Sequence, residues 1–152
     1  MHKSACLLSF LLLFSTHAIS SDNRDRLKVD CNIDFHQKYG VEHELLEAMS
    51  YAYFGDLDIK SSMKMVSNEV GFGFHKMHLP KIEEKFGFTL EDLENNICDN
   101  YEVMAWWLVE ESGYNGKNRE EALRRYYYGG GGNKRGNDYA VEAVERFYKG
   151  EL

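Results

Sequence analysis

Signals for the start and end of helices recur along most of the chain, and they constrain its fold more than any other feature. Apolar residues at helical spacing run from Val41 to Phe54, and Gly55 follows them. The next clear segment has Pro80 in its first turn and Gly87 just after its end, where these residue types usually stand. The first segment is predicted to be an amphipathic helix and the second a short helix.

Four further helices are predicted from polar residues that can cap a first turn. The predicted caps are Thr89 with Asp92, Asp99 or Asn100, Asn118 with Glu121, and Asn137. Gly113 and Gly150 are predicted to end the second and fourth of these helices. Residues 56–78 have no regular period, and their alternating glycine and aromatic residues favour an irregular segment or short strands. About six short helices with little strand signal predict a mainly α single domain.

The N-terminus has the pattern of a secretory signal peptide. The basic residues His2 and Lys3 precede an apolar run over residues 7–14, and small residues follow. The run is far shorter than the roughly 20 residues that a bilayer-spanning helix needs, so we expect no membrane span after cleavage. We therefore predict a signal peptide at residues 1–20 and one domain at residues 21–152, located in the periplasm or secreted.

Cleavage would change both the charge and the cysteine content of the chain. Loss of Lys3 changes the formal net charge from −7 to −8, which makes nucleic acid a poor partner. Loss of Cys6 leaves Cys31 and Cys98. In an oxidising compartment this pair suggests one disulfide, and two buried free thiols are the alternative.

Two segments carry a resemblance to a known family. Residues 79–100, LPKIEEKFGFTLEDLENNICDN, combine Leu-Pro, a short helix and a Cys-x-Asn turn that leads into Ala105 and Trp106. Residues 121–130, EALRRYYYGG, contain the pattern Ala-(x)3-Tyr-x-x-Gly. With these motifs in this order, the chain over residues 31–148 resembles the lytic transglycosylase-like proteins of the lysozyme superfamily. The resemblance is to the small exported members that accompany type III and type IV secretion, conjugation and pilus machines.

The resemblance implies a lysozyme-like fold with a groove that binds the glycan strands of peptidoglycan. It places Tyr126 and Gly129 on the tyrosine and glycine that line this groove, and it implies a disulfide between Cys31 and Cys98. A tyrosine ring can pack against the apolar face of a sugar while its hydroxyl forms hydrogen bonds, and a glycine lets the backbone approach closely. The alternative is that the tyrosines belong to the core and the glycines to a loop.

The residue at the family's catalytic position differs from the one that the family has there. The family uses one glutamate near the end of its first helix as the sole acid and base, but alignment with residues 41–55 places Tyr53 there and Phe54 at the following serine. A phenol, with a reference pKa of about 10, is a poor general acid near neutral pH. Phe74 falls in the segment that replaces the family's Gly-Leu-Met-Gln, and it cannot supply the hydrogen bonds of the glutamine amide. Glu47 lies roughly 120° around the helix from Tyr53, so it is not expected to substitute.

We therefore expect a degenerate lytic transglycosylase-like protein that binds peptidoglycan without efficient glycan cleavage. Phe54, Phe74, Tyr126 and Gly129 are the predicted glycan contacts, and Tyr53 occupies the catalytic position. No cofactor is expected. The protein would be an accessory of a secretion or pilus machine and would contact its assembly proteins.

Two alternatives stay open. An active lytic transglycosylase would need a substitute carboxylate, for which Glu69 is the first candidate and Asp56 and Asp58 are the next. A protein-interaction module would instead reuse the cleft for a polypeptide. His75 and His78 lack a recognised metal-binding spacing, so no metal site is predicted.

Overall fold

The computed structural model describes residues 30–54, 69–70, 74–129 and 134–151, and these ranges contain seven α-helices and one two-stranded antiparallel sheet. The helices are α1 (Phe35–Tyr39), α2 (His43–Phe54), α3 (Leu79–Phe86), α4 (Leu90–Asn95), α5 (Ile97–Glu110), α6 (Arg119–Gly129) and α7 (Lys134–Lys149). The strands are β1 (Glu69–Val70) and β2 (Phe74–His75), and a 3-10 turn at Lys76–His78 leads from β2 into α3. The prediction of a mainly α domain is confirmed.

One hydrophobic core runs between the helices. α2 packs against α7, α7 also packs against α6, and α5 contacts both α1 and α6. The fully buried side chains include Leu45 and Leu46 of α2, Tyr101 and Leu108 of α5, and Leu123 of α6. Within the described ranges, no helix is both long and apolar enough to span a bilayer. The predicted signal peptide lies outside the residues that the structure describes.

Local capping chemistry explains most of the helix boundaries. Thr89 and Asp92 form the predicted capping box, in which each side chain bonds the other's backbone amide. Pro80 stands in the first turn of α3, and Gly87 ends that helix with a φ of 74°, a left-handed conformation that glycine adopts without steric cost. Gly150, with a φ of 77°, follows α7 as predicted.

Two predicted helix starts are wrong, and one helix was not predicted. α5 begins at Ile97 because the Asn96 side chain caps it, accepting a hydrogen bond from the Cys98 amide at 3.0 Å, so neither Asp99 nor Asn100 is the cap. α7 begins at Lys134, so Asn137 lies inside that helix and is buried. The additional helix, α1, has only five residues and is capped by Asp34.

A disulfide joins Cys31 to Cys98, as predicted. The two cysteines are 67 residues apart in sequence and their Cα atoms are 5.6 Å apart. The bond ties the segment before α1 to the first turn of α5, and the alternative of two free thiols is therefore wrong. Because it closes a long loop, the bond lowers the conformational entropy of the unfolded chain substantially.

We predict that the double substitution Cys31→Ser and Cys98→Ser lowers the free energy of unfolding by about 4 kcal/mol, the loop-entropy value for a closure of this length. Urea denaturation of a chain that starts at residue 21 measures the change. Dithiothreitol should destabilise the parent protein and leave the double variant unaffected. Equal urea midpoints for the parent and the variant would show that the bond adds no stability.

A charged pair joins the start of α6 to the end of α7. Arg119 donates two hydrogen bonds to the Glu145 carboxylate, Nε to Oε1 at 2.8 Å and Nη2 to Oε2 at 3.0 Å, and both side chains are partly buried. The Arg119 guanidinium also lies 4.1 Å from the centre of the Tyr148 ring. The hydrogen bonds from Arg119 hold the pKa of Glu145 below its ordinary value, although partial burial acts in the opposite direction.

We predict that Glu145→Gln lowers the free energy of unfolding at pH 7 by about 1 to 2 kcal/mol, because it removes a charge-assisted bidentate pair. The pKa of Glu145 is depressed in the folded state, so its contribution is present at neutral pH and is lost as the pH falls through that depressed pKa. The difference between the parent and Glu145→Gln in urea denaturation should therefore shrink on acidification. Glu121→Gln, at an exposed pair with Arg125, is the control and should change stability by less than about 0.5 kcal/mol. A gap that grows in acid would contradict this assignment.

Candidate functional site

Three consecutive tyrosines near the end of α6, Tyr126 to Tyr128, form the first candidate site, and we call them the tyrosine run. Tyr126 is 7% exposed and Tyr127 is similarly buried, and their rings meet edge to face at 5.3 Å. Both belong to the hydrophobic core. Tyr128 is 38% exposed, because successive helical residues point about 100° apart. The structure thus places Tyr126, the predicted glycan contact, in the core beside Tyr127, and α6 ends at Gly129.

One member of the tyrosine run, Tyr127, contacts the middle of α2. The Tyr127 hydroxyl donates to the Met49 carbonyl at 3.5 Å. In an α-helix that carbonyl also faces the amide of the residue four positions later, which is Tyr53. The end of α2, with Tyr53 and Phe54, is therefore within one turn of the contact with α6. The side chains of Tyr53 and Phe54 lie outside the described part of the structure.

The other predicted site residues lie on or next to the small sheet. Glu69 opposes His75, and Val70 opposes Phe74, in the antiparallel register of β1 and β2. β1 also lies beside α4. The side chains of Glu69 and Phe74 are outside the described part of the structure, as are Asp56 and Asp58 altogether.

A buried carboxylate, Glu47, was set aside in the sequence analysis. Its Oε1 lies 3.3 Å from Nε2 of His43, one turn earlier on α2. The His43 ring stacks on Phe35 at 5.8 Å and meets the Tyr101 ring edge on at 5.6 Å. Burial raises the pKa of Tyr101 to about 12, and the negative charge of Glu47 acts in the same direction, while a hydrogen bond with Ser50 opposes them. The spacing His-x-x-x-Glu on an amphipathic helix was the signal that could have revealed this pair.

Glu47 and His43 face a cavity of about 620 Å³ between α1, the residues before it and the start of α2. Among the lining residues that the structure describes, four are carboxylates, namely Asp30, Asp34, Glu44 and Glu47, and none is a lysine or arginine. Such a lining favours positively charged groups over anions. The arrangement lies away from the end of α2, where the resemblance places the chemistry.

A second buried carboxylate is engaged in holding α1 to α5. Glu102 accepts hydrogen bonds from the Tyr39 hydroxyl at 2.9 Å and from the Lys38 ammonium group. Burial raises the pKa of Tyr39, and the hydrogen bond to Glu102 adds to the effect. Since both donors come from one helix and the acceptor from another, we interpret this cluster as structural.

The tryptophan pair of α5 has one buried member and one member nearer the surface. Trp106 is buried and meets Phe86 edge to face at 5.3 Å. Trp107 is partly exposed, with the His78 ring at 4.7 Å and the Lys81 ammonium at 5.4 Å from its ring centre. His78 thus packs on an aromatic ring. Across the described ranges, no group of three or more histidine, cysteine, aspartate or glutamate residues is placed to hold a metal ion.

Comparisons of the chain with protein-family models, with curated proteins and with solved structures found no match.

We predict that Tyr126→Ala lowers the free energy of unfolding by about 3 kcal/mol or more, because it leaves a cavity in the core. Thermal or urea denaturation measures the loss. Tyr139→Ala is the matched control, since the Tyr139 side chain is 70% exposed and its removal should change stability by less than about 0.5 kcal/mol. Equal stability of the two variants would place Tyr126 at the surface, where a tyrosine that lines a glycan-binding groove would have to lie.

Proposed function

We propose that this chain is a peptidoglycan-binding protein of lytic transglycosylase-like, lysozyme-like architecture that lacks efficient glycan cleavage. The observation that carries the proposal is the position of the end of α2. The Tyr127 hydroxyl near the end of α6 meets the Met49 carbonyl, and Tyr53 stands one helical turn beyond that carbonyl. The resemblance places the family's acid at the end of α2 and its groove-lining tyrosine and glycine at the end of α6. In this chain a phenol, that of Tyr53, stands at the aligned acid position.

The disulfide supports the proposed location outside the cytoplasm. The resemblance implied a bond between Cys31 and Cys98, and the structure forms that bond. Disulfides persist in oxidising compartments such as the periplasm and the extracellular space. Together with the predicted signal peptide at residues 1–20, this favours a periplasmic or secreted protein. The accessory role in a secretion or pilus machine is supported by the resemblance alone.

The chemistry at Tyr53 favours binding without cleavage. Protonation of a glycosidic oxygen near neutral pH needs a group whose pKa lies close to that pH, and enzymes obtain it by placing a carboxyl group in a partly apolar pocket. A phenol has a reference pKa of about 10 and holds its proton too tightly for this step. A glycan would therefore remain intact on this surface.

We predict that the chain from residue 21 sediments with purified peptidoglycan sacculi and leaves no clear zone in a peptidoglycan zymogram. Tyr53→Glu should produce weak lysis, because it restores a carboxyl group at the aligned acid position. Met77→Glu introduces the same group at an exposed site outside the aligned acid position and should remain inactive.

Each contrary result identifies a different function. Lysis by the parent chain that disappears in Glu69→Gln would show an active transglycosylase with a substitute carboxylate. Absence of the parent chain from the sacculus pellet would contradict peptidoglycan binding and leave a polypeptide as the occupant of the cleft.

A further inference from the structure

We propose that Tyr128, Asp138 and Tyr139 form a saccharide-binding surface where α6 meets α7, and we call it the junction surface. This inference rests on the proposed function and adds the residues that would contact the glycan. It moves the stacking role from Tyr126, which is buried, to two tyrosines that are exposed.

The exposure of apolar side chains singles out this region. Among the residues that the structure describes, the large hydrophobic side chains that are exposed are Met77, at 79%, Tyr128, at 38%, and Tyr139, at 70%. Isolated exposed hydrophobic residues are ordinary on a protein surface. Two of these three, however, lie where the end of α6 meets the first turns of α7, and both are tyrosines.

A hydrogen bond connects one of the exposed tyrosines, Tyr128, to a charged pair. The Tyr128 hydroxyl donates to Oδ1 of Asp138 at 2.7 Å. Nη1 of Arg124, one turn before Tyr128 on α6, donates to the same oxygen at 3.0 Å. Tyr139 follows Asp138 directly on α7, so its ring leaves the helix about 100° around from the carboxylate. The Tyr128 ring, the carboxylate and the guanidinium thus lie together at one junction, and the exposed Tyr139 is the next residue along α7.

This combination of groups suits a sugar. A tyrosine ring offers a flat apolar face for the C–H side of a pyranose. The partly exposed carboxylate of Asp138 can accept hydrogen bonds from sugar hydroxyls. Arg124 also donates from Nε and Nη2 to Glu120, and the remaining N–H groups of its partly exposed guanidinium can donate to ring or hydroxyl oxygens.

The geometry also lowers the cost of binding. The hydrogen bond from the Tyr128 hydroxyl to Asp138 holds that hydroxyl in place before any ligand binds. A side chain that is already ordered loses less conformational entropy when a ligand packs on it. Tyr128 is therefore expected to contribute more to affinity than an unrestrained surface tyrosine would.

The test compares substitutions at the junction surface in two binding assays with the chain from residue 21. The first is cosedimentation with sacculi, and the second is competition by a soluble uncrosslinked glycan oligomer. Tyr128→Ala and Tyr139→Ala should each weaken sacculus binding about 3- to 10-fold, which corresponds to the free energy of a single aromatic contact. Met77→Ala is the control, because Met77 is the third exposed large hydrophobic residue among those described and lies outside the junction surface. The affinity of this variant for sacculi should stay within about 2-fold of that of the parent.

Tyr128→Phe separates the role of the ring from the role of the hydroxyl. It keeps the stacking face and loses the bond to Asp138, so its affinity should fall less than that of Tyr128→Ala. Circular dichroism should show unchanged helicity for every variant, because these side chains are exposed.

The possible results distinguish this inference from the proposed function. If the parent binds sacculi and the alanine variants at Tyr128 and Tyr139 bind equally well, the junction surface is wrong and the proposed function stands. If the glycan oligomer fails to displace the parent, the surface does not recognise a saccharide. If Met77→Ala weakens binding as strongly, the retention is general apolar adhesion. A parent chain that does not bind sacculi at all would overturn both proposals.

Discussion

Packing of α2 against α7 is the interaction on which the rest of the structure depends. It brings the Tyr51 ring to within 5.2 Å of the Phe147 ring and lets the end of α6 reach the Met49 carbonyl. Tyr53 therefore stands one helical turn beyond the carbonyl that Tyr127 contacts. Without this packing the ends of α2 and α6 would have no fixed relation.

Polar contacts fix both ends of the α6–α7 pair. Arg119 at the start of α6 bonds Glu145 near the end of α7, and Tyr128 near the end of α6 bonds Asp138 near the start of α7. The first contact is partly buried and the second is exposed. The buried contact stabilises the helix pair, whereas the exposed contact orders side chains that a ligand can reach. The same helix pairing thus accounts for stability at one end and for the proposed binding surface at the other.

Features set by local chemistry were predictable, and features set by tertiary packing were not. The Thr89 capping box and the glycine after α3 follow from contacts within a few residues. The sequence offered several polar residues near the start of α5, and only the structure shows that Asn96 is the cap. Three consecutive tyrosines differ in direction by about 100° each, so the orientation of α6 on the core decides which one is exposed. That orientation depends on distant residues of α2 and α7, and the sequence therefore pointed to Tyr126 where the structure exposes Tyr128.

The most direct test of the account is a two-dimensional amide NMR titration of the ¹⁵N-labelled chain with a soluble glycan strand of peptidoglycan. We predict saturable shifts at the backbone amides of residues 124–129 and 137–140 and near the end of α2, with the spectrum of the complex unchanged over days because the ligand stays intact. Shifts confined to the acidic cavity around His43 and Glu47, or a spectrum that drifts as the glycan is cleaved, would contradict it.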